Sequence, residues 1–268
     1  MRHELDHGLQ HQLRLFLIAL QFLTRVPVPA WVGWRDDWMN QSARYFPLVG
    51  AVVGAFGAAV FWAAAHLWSA TLAVMLSMVA TVWLTGAFHE DGLADTCDGL
   101  GGAVSRQRAL EIMKDSRLGT YGTVGLLAVL ALKAVALTGL ATRDLAATLV
   151  LLPVAHAWSR LAAVALLRAL PYAGDPGQAK AKPMAQQIDG TGVGVALVCG
   201  LAAAALAAPW WSATLLVAGA LAPAATAWMM ARWLRRRLGG YTGDTLGATQ
   251  QLSELAIYLV LLALLSRG

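Results

Sequence analysis

Four carboxylates fall within nine residues of the stretch His89-Glu90-Asp91-Gly92-Leu93-Ala94-Asp95-Thr96-Cys97-Asp98-Gly99-Leu100-Gly101-Gly102. Asp91, Asp95 and Asp98 are spaced by four and then three, so on a helix they share one face. Like charges at that spacing repel, and a carboxylate near a bilayer costs about 2.5–3.5 kcal/mol on insertion scales. A hard divalent cation bound by carboxylate oxygens, magnesium above all, relieves both penalties, so Asp91, Asp95 and Asp98 are the expected metal ligands. The plainer alternative is a solvated helix end. Such ends usually mix in Lys and Arg, and neither occurs between His89 and Arg106. Glycines at 92, 99, 101 and 102 let backbone approach a bulky anionic ligand.

Further along runs Arg106-Gln107-Arg108-Ala109-Leu110-Glu111-Ile112-Met113-Lys114-Asp115-Ser116-Arg117-Leu118-Gly119-Thr120-Tyr121-Gly122. Lys114 and Arg117 suit phosphate, and Asp115 could complete a metal shell. Gly119 and Gly122 flank a helix start whose free N–H groups favour an anion. Carboxylates, a metal, basic side chains and such a helix start together suggest phosphoryl-group chemistry. A third element, Gly239-Gly240-Tyr241-Thr242-Gly243-Asp244-Thr245-Leu246-Gly247-Ala248, follows Arg235-Arg236-Arg237 and offers Asp244 as a substrate or metal contact.

The elements that must position these residues are membrane helices. The chain has 268 residues, 58% hydrophobic and 13% charged, where a soluble domain carries about a quarter charged residues. A span needs about 20 mostly apolar residues. Segments 46–68, 70–88, 123–142, 145–167, 192–208, 211–231 and 253–266 qualify or come close, the last being short. The apolar stretch 13–23 is too short to cross and is stopped by Pro27 and Pro29, so it reads as an interfacial or re-entrant helix. The expectation is an all-α polytopic membrane bundle of about seven transmembrane helices plus that N-terminal helix. It forms one integral-membrane catalytic domain over 1–268, with active-site loops 89–122 and 232–252 on one side.

Charge supports this map. If every segment crosses, sixteen of the twenty Lys and Arg residues fall on one side, while Arg143 and Arg267 fall on the other and Lys133 and Arg160 lie within spans. That split predicts a bacterial inner-membrane protein whose long loops face the cytoplasm. With Glu254 assigned to the loop side although it lies at the start of segment 253–266, every acidic residue except Asp144 belongs to the cytoplasmic side, so the chemistry is expected there. The opposite connections, near 68–70, 142–145 and 209–212, are only turns. The net charge of +5 is explained by these loops, and nucleic acid is not an expected partner. Cys97 and Cys199 lack metal-type spacing and do not suggest a disulfide framework. The polar N-terminus shows no cleaved-signal pattern.

These residues resemble the cobalamin synthase (adenosylcobinamide-GDP ribazoletransferase) family. The likeness rests on Leu23-Thr24-Arg25-Val26-Pro27-Val28-Pro29, on Tyr45-Phe46-Pro47-Leu48-Val49-Gly50, on Glu90 through Gly99, on Met113 through Gly122 and on the turn at 239–248, in that order along nearly the whole chain. The resemblance implies a magnesium-dependent integral membrane enzyme. It would join adenosylcobinamide-GDP to α-ribazole, or its 5′-phosphate, and release GMP; neither substrate could be named from the residues alone. A looser similarity is to the CDP-alcohol phosphotransferases, through Asp95-Thr96-Cys97-Asp98-Gly99, but that signature's following Ala-Arg and later aspartate pair are missing.

Under this reading Asp91, Asp95 and Asp98 hold magnesium on the donor's diphosphate, with Glu90 or Asp115 assisting. One of that pair takes the acceptor hydroxyl's proton, and Lys114 and Arg117 clamp phosphate. Arg25 belongs to a matching motif and is a candidate substrate contact, as are Lys180 and Lys182 in a Gly/Pro-bearing loop, although ordinary loop charge also explains the two lysines. Lys133 is either functional or paired inside the bundle. Arg160 either binds an anionic substrate group or pairs with His156 four residues earlier. Gly50, Gly54 and Gly57 read as helix-packing residues. A polytopic transporter is the main non-enzyme alternative, but transporter sites lie near the midplane, whereas these acids sit at a span end. A homo-oligomer is left open.

Overall fold

The computed structural model describes residues 2–174 and 185–266, with the side chains of residues 2–7 and 36 outside the description. The helices in order are α1 (Arg2–Leu23), α2 (Asp36–Ser42), α3 (Phe46–Ala65), α4 (Ala70–Thr85), α5 (Phe88–Leu100), α6 (Arg106–Lys114), α7 (Thr120–Ala141), α8 (Leu145–Ala169), α9 (Gly190–Ala207), α10 (Ala213–Arg237) and α11 (Gly243–Leu265). No strand occurs among the described residues, only an isolated bridge between Tyr172 and Tyr241. Six helical segments are long and apolar enough to cross a membrane, and a seventh if the bent pair α4–α5 is one span. The all-α polytopic bundle expected from hydropathy is the fold found.

Two boundaries differ from expectation. The second apolar run does not continue straight into the acidic stretch: α4 and α5 meet at 88°. Gly86 and Ala87 both adopt left-handed backbone, with φ of 66° and 58°. The Ala87 N–H donates to the Val82 carbonyl at 2.9 Å, closing the end of α4. A non-glycine residue in this conformation costs about 1–2 kcal/mol, which the surrounding packing must offset. The last span also begins ten residues earlier than hydropathy indicated, at Gly243 rather than 253. Its first half carries Thr245, Thr249, Gln250, Gln251 and Ser253, all buried. Their polarity hides the helix from an apolar-run test, because they face the bundle interior rather than lipid.

The N-terminal helix is 22 residues, twice the apolar stretch that announced it. α8 lies at the centre of the bundle, packing against α3, α9, α10 and α11. Gly50 and Gly54 make the α3–α8 seam possible: a Cβ at either would collide with the carbonyls of His156 and Leu152. At the end of the bundle that carries α5 and α6, the chain after α8 pairs briefly with the turn before α11. The Ala173 N–H donates to the Tyr241 carbonyl at 2.8 Å, and the Tyr241 N–H to that of Pro171 at 3.0 Å. The wholly buried Tyr241 donates its hydroxyl to the Gln186 carbonyl at 3.0 Å.

Candidate active site

Asp91, Asp95 and Asp98 lie on α5 as their spacing requires, and α5 packs against the start of α11, against α6 and against α7. Close approach at Gly92 sets the first of these contacts. A Cβ there would lie 2.8 Å from the Asp244 carbonyl oxygen and 3.0 Å from its Cα, so only glycine lets the α11 N-terminus rest on the acid helix. Asp244 stands in the first turn of α11, which is closed by a capping box between Thr242 and Thr245. The Asp244 backbone therefore rests on α5 at Gly92, joining two motifs that lie about 150 residues apart in the chain.

Asp98 has a different task from the one expected. One carboxylate oxygen accepts the Gly119 N–H at 2.7 Å and the other the Gly122 N–H at 2.7 Å. The anion predicted for the α7 helix start is a side chain of the protein itself. Asp115 and Arg117 also pair with each other. Arg117 Nη2 donates to Asp115 Oδ2 at 2.6 Å, and the Arg117 Nε and backbone N–H reach the same carboxylate. The guanidinium and these hydrogen bonds hold the Asp115 carboxyl down at about 2. So weak a base does not suit the proton-accepting role offered for it. Lys114 is exposed on the last turn of α6. Arg25 is exposed too, with its guanidinium against the Gly86 bend and its backbone N–H donating to the Leu84 carbonyl at 2.8 Å. Lys180 and Lys182 lie outside the described residues.

Glu90 corrects another expectation. It is 7% exposed and turned into the bundle, where Oε1 accepts from Gln251 Nε2 at 2.8 Å. It belongs to an interior network, not to the rim. Lys133 Nζ pairs with Glu254 Oε1 at 2.6 Å and donates to Gln251 Oε1 at 3.0 Å. Glu254 also accepts from Gln250 at 2.7 Å and from the Tyr258 hydroxyl at 3.0 Å. Arg160, 2% exposed, donates to the His156 carbonyl at 3.0 Å and meets the His156 ring at 3.2 Å. Arg160 and Lys133 are thus both paired inside the bundle, and both also line a cavity there, with Arg160 Nε buried without a hydrogen-bond partner. Glu254, counted with the acids of the loop side, lies instead halfway along α11. A cavity of about 20 Å³ sits among Glu90, Lys133, His156, Arg160 and Glu254.

Two arginines that sequence reading passed over hold the rim together. Arg106 donates to the carbonyls of Leu238 at 2.6 Å and Ala173 at 3.2 Å. Arg237 donates to those of Gly102 at 2.9 Å and Leu100 at 3.2 Å. Each ties the loop after α5 to the turn after α10. Both sit among other arginines, so only tertiary contacts distinguish them.

Among the described residues no group of three or more His, Cys, Asp or Glu side chains is arranged to hold a metal ion. A closed set of Asp91, Asp95 and Asp98 therefore does not form, since Asp98 faces α7. Magnesium seldom uses an all-protein cage; one or two carboxylates plus substrate phosphates are its usual ligands. Asp91 and Asp95, one turn apart on α5, suit that open mode.

Fold and site define a polytopic α-helical membrane protein with an acid-rich helix braced against a capped helix start at one end. The chain belongs to the CobS family, cobalamin-5-phosphate synthase, whose profile matches residues 15–262. This makes it a transferase of cobalamin biosynthesis. It is 63% identical over 259 residues to a protein of Leptothrix cholodnii, covering 96% of this chain and 97% of that one. It is 47% identical over 257 residues to a Vibrio cholerae protein, covering 96% of each. A Shewanella amazonensis protein is 45% identical over 259 residues, covering 97% of this chain and 98% of its own. All three are named adenosylcobinamide-GDP ribazoletransferase. No solved structure matches.

Proposed function

We propose that the chain transfers adenosylcobinamide phosphate from adenosylcobinamide-GDP to α-ribazole or its 5′-phosphate, releasing GMP, at the cytoplasmic face of the bacterial inner membrane. The names of its relatives support the donor. The excess of Lys and Arg on the loops of the acid-bearing end supports the orientation. The observation that carries the chemistry is the seating of the Asp244 backbone against Gly92, which brings the start of α11 onto the helix that bears Asp91 and Asp95.

In this reading Asp91 and Asp95 hold magnesium together with the donor's diphosphate. Bound there, the ion would neutralise charge on the phosphoryl oxygens and the departing GMP. Asp244 orients the donor from the α11 side, and exposed Lys114 contacts phosphate. Asp98 fixes the α7 N-terminus, so that the loop 115–119 and the acid face keep a constant spacing. Arg106 and Arg237 hold the other wall.

The test is GMP release by the detergent-purified protein supplied with adenosylcobinamide-GDP, α-ribazole and magnesium. Asp95→Ala should abolish release while the thermal unfolding midpoint stays within a few degrees of wild type. Chelator should abolish it as well. Near-normal turnover in that variant, or turnover indifferent to chelator, would remove the metal assignment. Absence of GMP release by the wild-type protein would remove the reaction.

A further inference from the structure

On the flank of the bundle, α9 and α10 both pack on α8 yet scarcely touch one another. They leave a groove of about 830 Å³ between them. Its size falls in the upper part of the range for small-molecule pockets, about 300–1,000 Å³. The walls are apolar, with Leu161 from α8, Leu197 and Leu201 from α9, and Pro223 and Trp228 from α10. Trp158 forms the floor, its indole N–H donating to the Gly200 carbonyl at 3.0 Å, so the floor presents no unmet donor. Groove-lining residues on α8 run from Trp158 to Ala169 and on α9 from Val193 to Ala204, roughly 16 Å of each helix. Half the hydrocarbon core of a bilayer is about 15 Å deep. The α8 and α9 walls thus span about one leaflet at the acid-bearing end, while the lining residues of α10 run on from Leu216 to Arg235, roughly 28 Å.

Its mouth at that end is basic. Arg232 and Arg235, three apart on α10, both line it, and among the described residues no acidic side chain does. Arg232 lies over the Trp228 ring at 5.0 Å, and Arg235 uses one N–H on the Ala169 carbonyl at 3.3 Å. A guanidinium has five donors, so each retains several for a ligand at the headgroup level. The run Arg235-Arg236-Arg237 therefore divides by direction, with Arg237 bracing the active-site loop and Arg235 facing the groove.

We infer that this groove is a binding site for an anionic glycerophospholipid, with acyl chain between α9 and α10 and phosphate against Arg232 and Arg235. The occupant is set by the pairing of an apolar, lipid-flank cleft with two cations at its polar end. A zwitterionic lipid would fill the cleft and gain little from the arginines. Basic residues near a membrane surface each contribute about fivefold to anionic-lipid affinity, so the pair supplies roughly 25-fold.

The test is native mass spectrometry of the full chain in mild detergent, titrated with phosphatidylglycerol or phosphatidylcholine of matched chains. Phosphatidylglycerol should be retained roughly 25-fold more strongly. Arg232→Gln with Arg235→Gln should bring the two lipids to parity, and Ala224→Trp should reduce retention of both. The arginines are exposed, so their replacement tests the site even if the tryptophan variant does not fold. Equal retention of the two lipids by wild type would overturn the inference, as would phosphatidylglycerol retention unchanged in the double variant. A dimer that carries no lipid would assign the groove to a second copy of the chain and overturn it equally.

Discussion

Glu90 and Asp91 are neighbours on α5, yet they belong to two differently built acidic regions. Glu90 and Glu254 are buried and surrounded by the chain's own polar groups: Lys133, Gln250, Gln251, Tyr258 and, at 3.6 Å, the His156 ring. At the rim, Asp91 is exposed and Asp98 is held by backbone N–H groups of a helix start. Asp115 is held by a surface arginine. Burial accounts for the contrast. A charge in the bundle interior has no water to turn to, so its counter-charge must be covalently part of the fold. At the rim water screens what the protein leaves unmatched, and a substrate-borne ion can enter. Glu254, met on both oxygens by Lys133, Tyr258 and Gln250, is structural, whereas Glu90 keeps Oε2 buried without a hydrogen-bond partner. The carboxylates left at the water boundary are where the proposed chemistry belongs.

The interior half of this comparison makes the largest prediction. Lys133→Met leaves Glu254 buried without its cation, and breaking a buried pair in this way costs about 3–5 kcal/mol. Chemical denaturation in detergent should show that loss. Adding Glu254→Gln to the same protein should recover much of it, because a neutral amide removes the orphaned charge and keeps one acceptor oxygen. If Lys133→Met leaves stability untouched, the interior pair is not the structural element described here.

Much of this contrast was not legible in the sequence. The spans were, because lipid demands long apolar runs: α7, α8 and α9 begin and end within three residues of where hydropathy placed them. The rim acids were legible because helical spacing is local. The partner of Glu254 was not, since Lys133 lies 121 residues earlier and only tertiary packing brings the two together. The same packing carries the buried polar face of α11, which made the helix look too short. The 88° turn at Gly86 and Ala87 also had no clear signal. It sets the direction of α5, on which His89 and Glu90 are buried and Asp91 is exposed.

Asp98 tests the rim at its most structural point. Removing the carboxylate by Asp98→Ala leaves two helix-start N–H groups without their charged acceptor, a loss of about 2–3 kcal/mol. Asp98→Asn retains one acceptor oxygen and should lose roughly half as much. Because the proposed role is to hold α7, the stability loss should be the same with magnesium present or chelated. A loss seen only with magnesium would return Asp98 to the metal and redraw the boundary between the two regions.

The smallest effect is expected where the rim is most exposed. Asp115 and Arg117 pair in water, so Arg117→Ala should lower the unfolding midpoint only slightly near neutral pH. Its signature is instead in titration. The folded-state pKa of Asp115 is depressed to about 2, below the ordinary aspartate value of about 3.9. The stabilisation from the pair is thus present above pH 4 and fades as pH falls through about 2. Carboxyl-resolved NMR should find Asp115 titrating near 2 in wild type and near 4 in Arg117→Ala. If the variant still titrates near 2, Arg117 is not what holds the proton off, and Lys114, exposed next to it in sequence, becomes the cation to remove next.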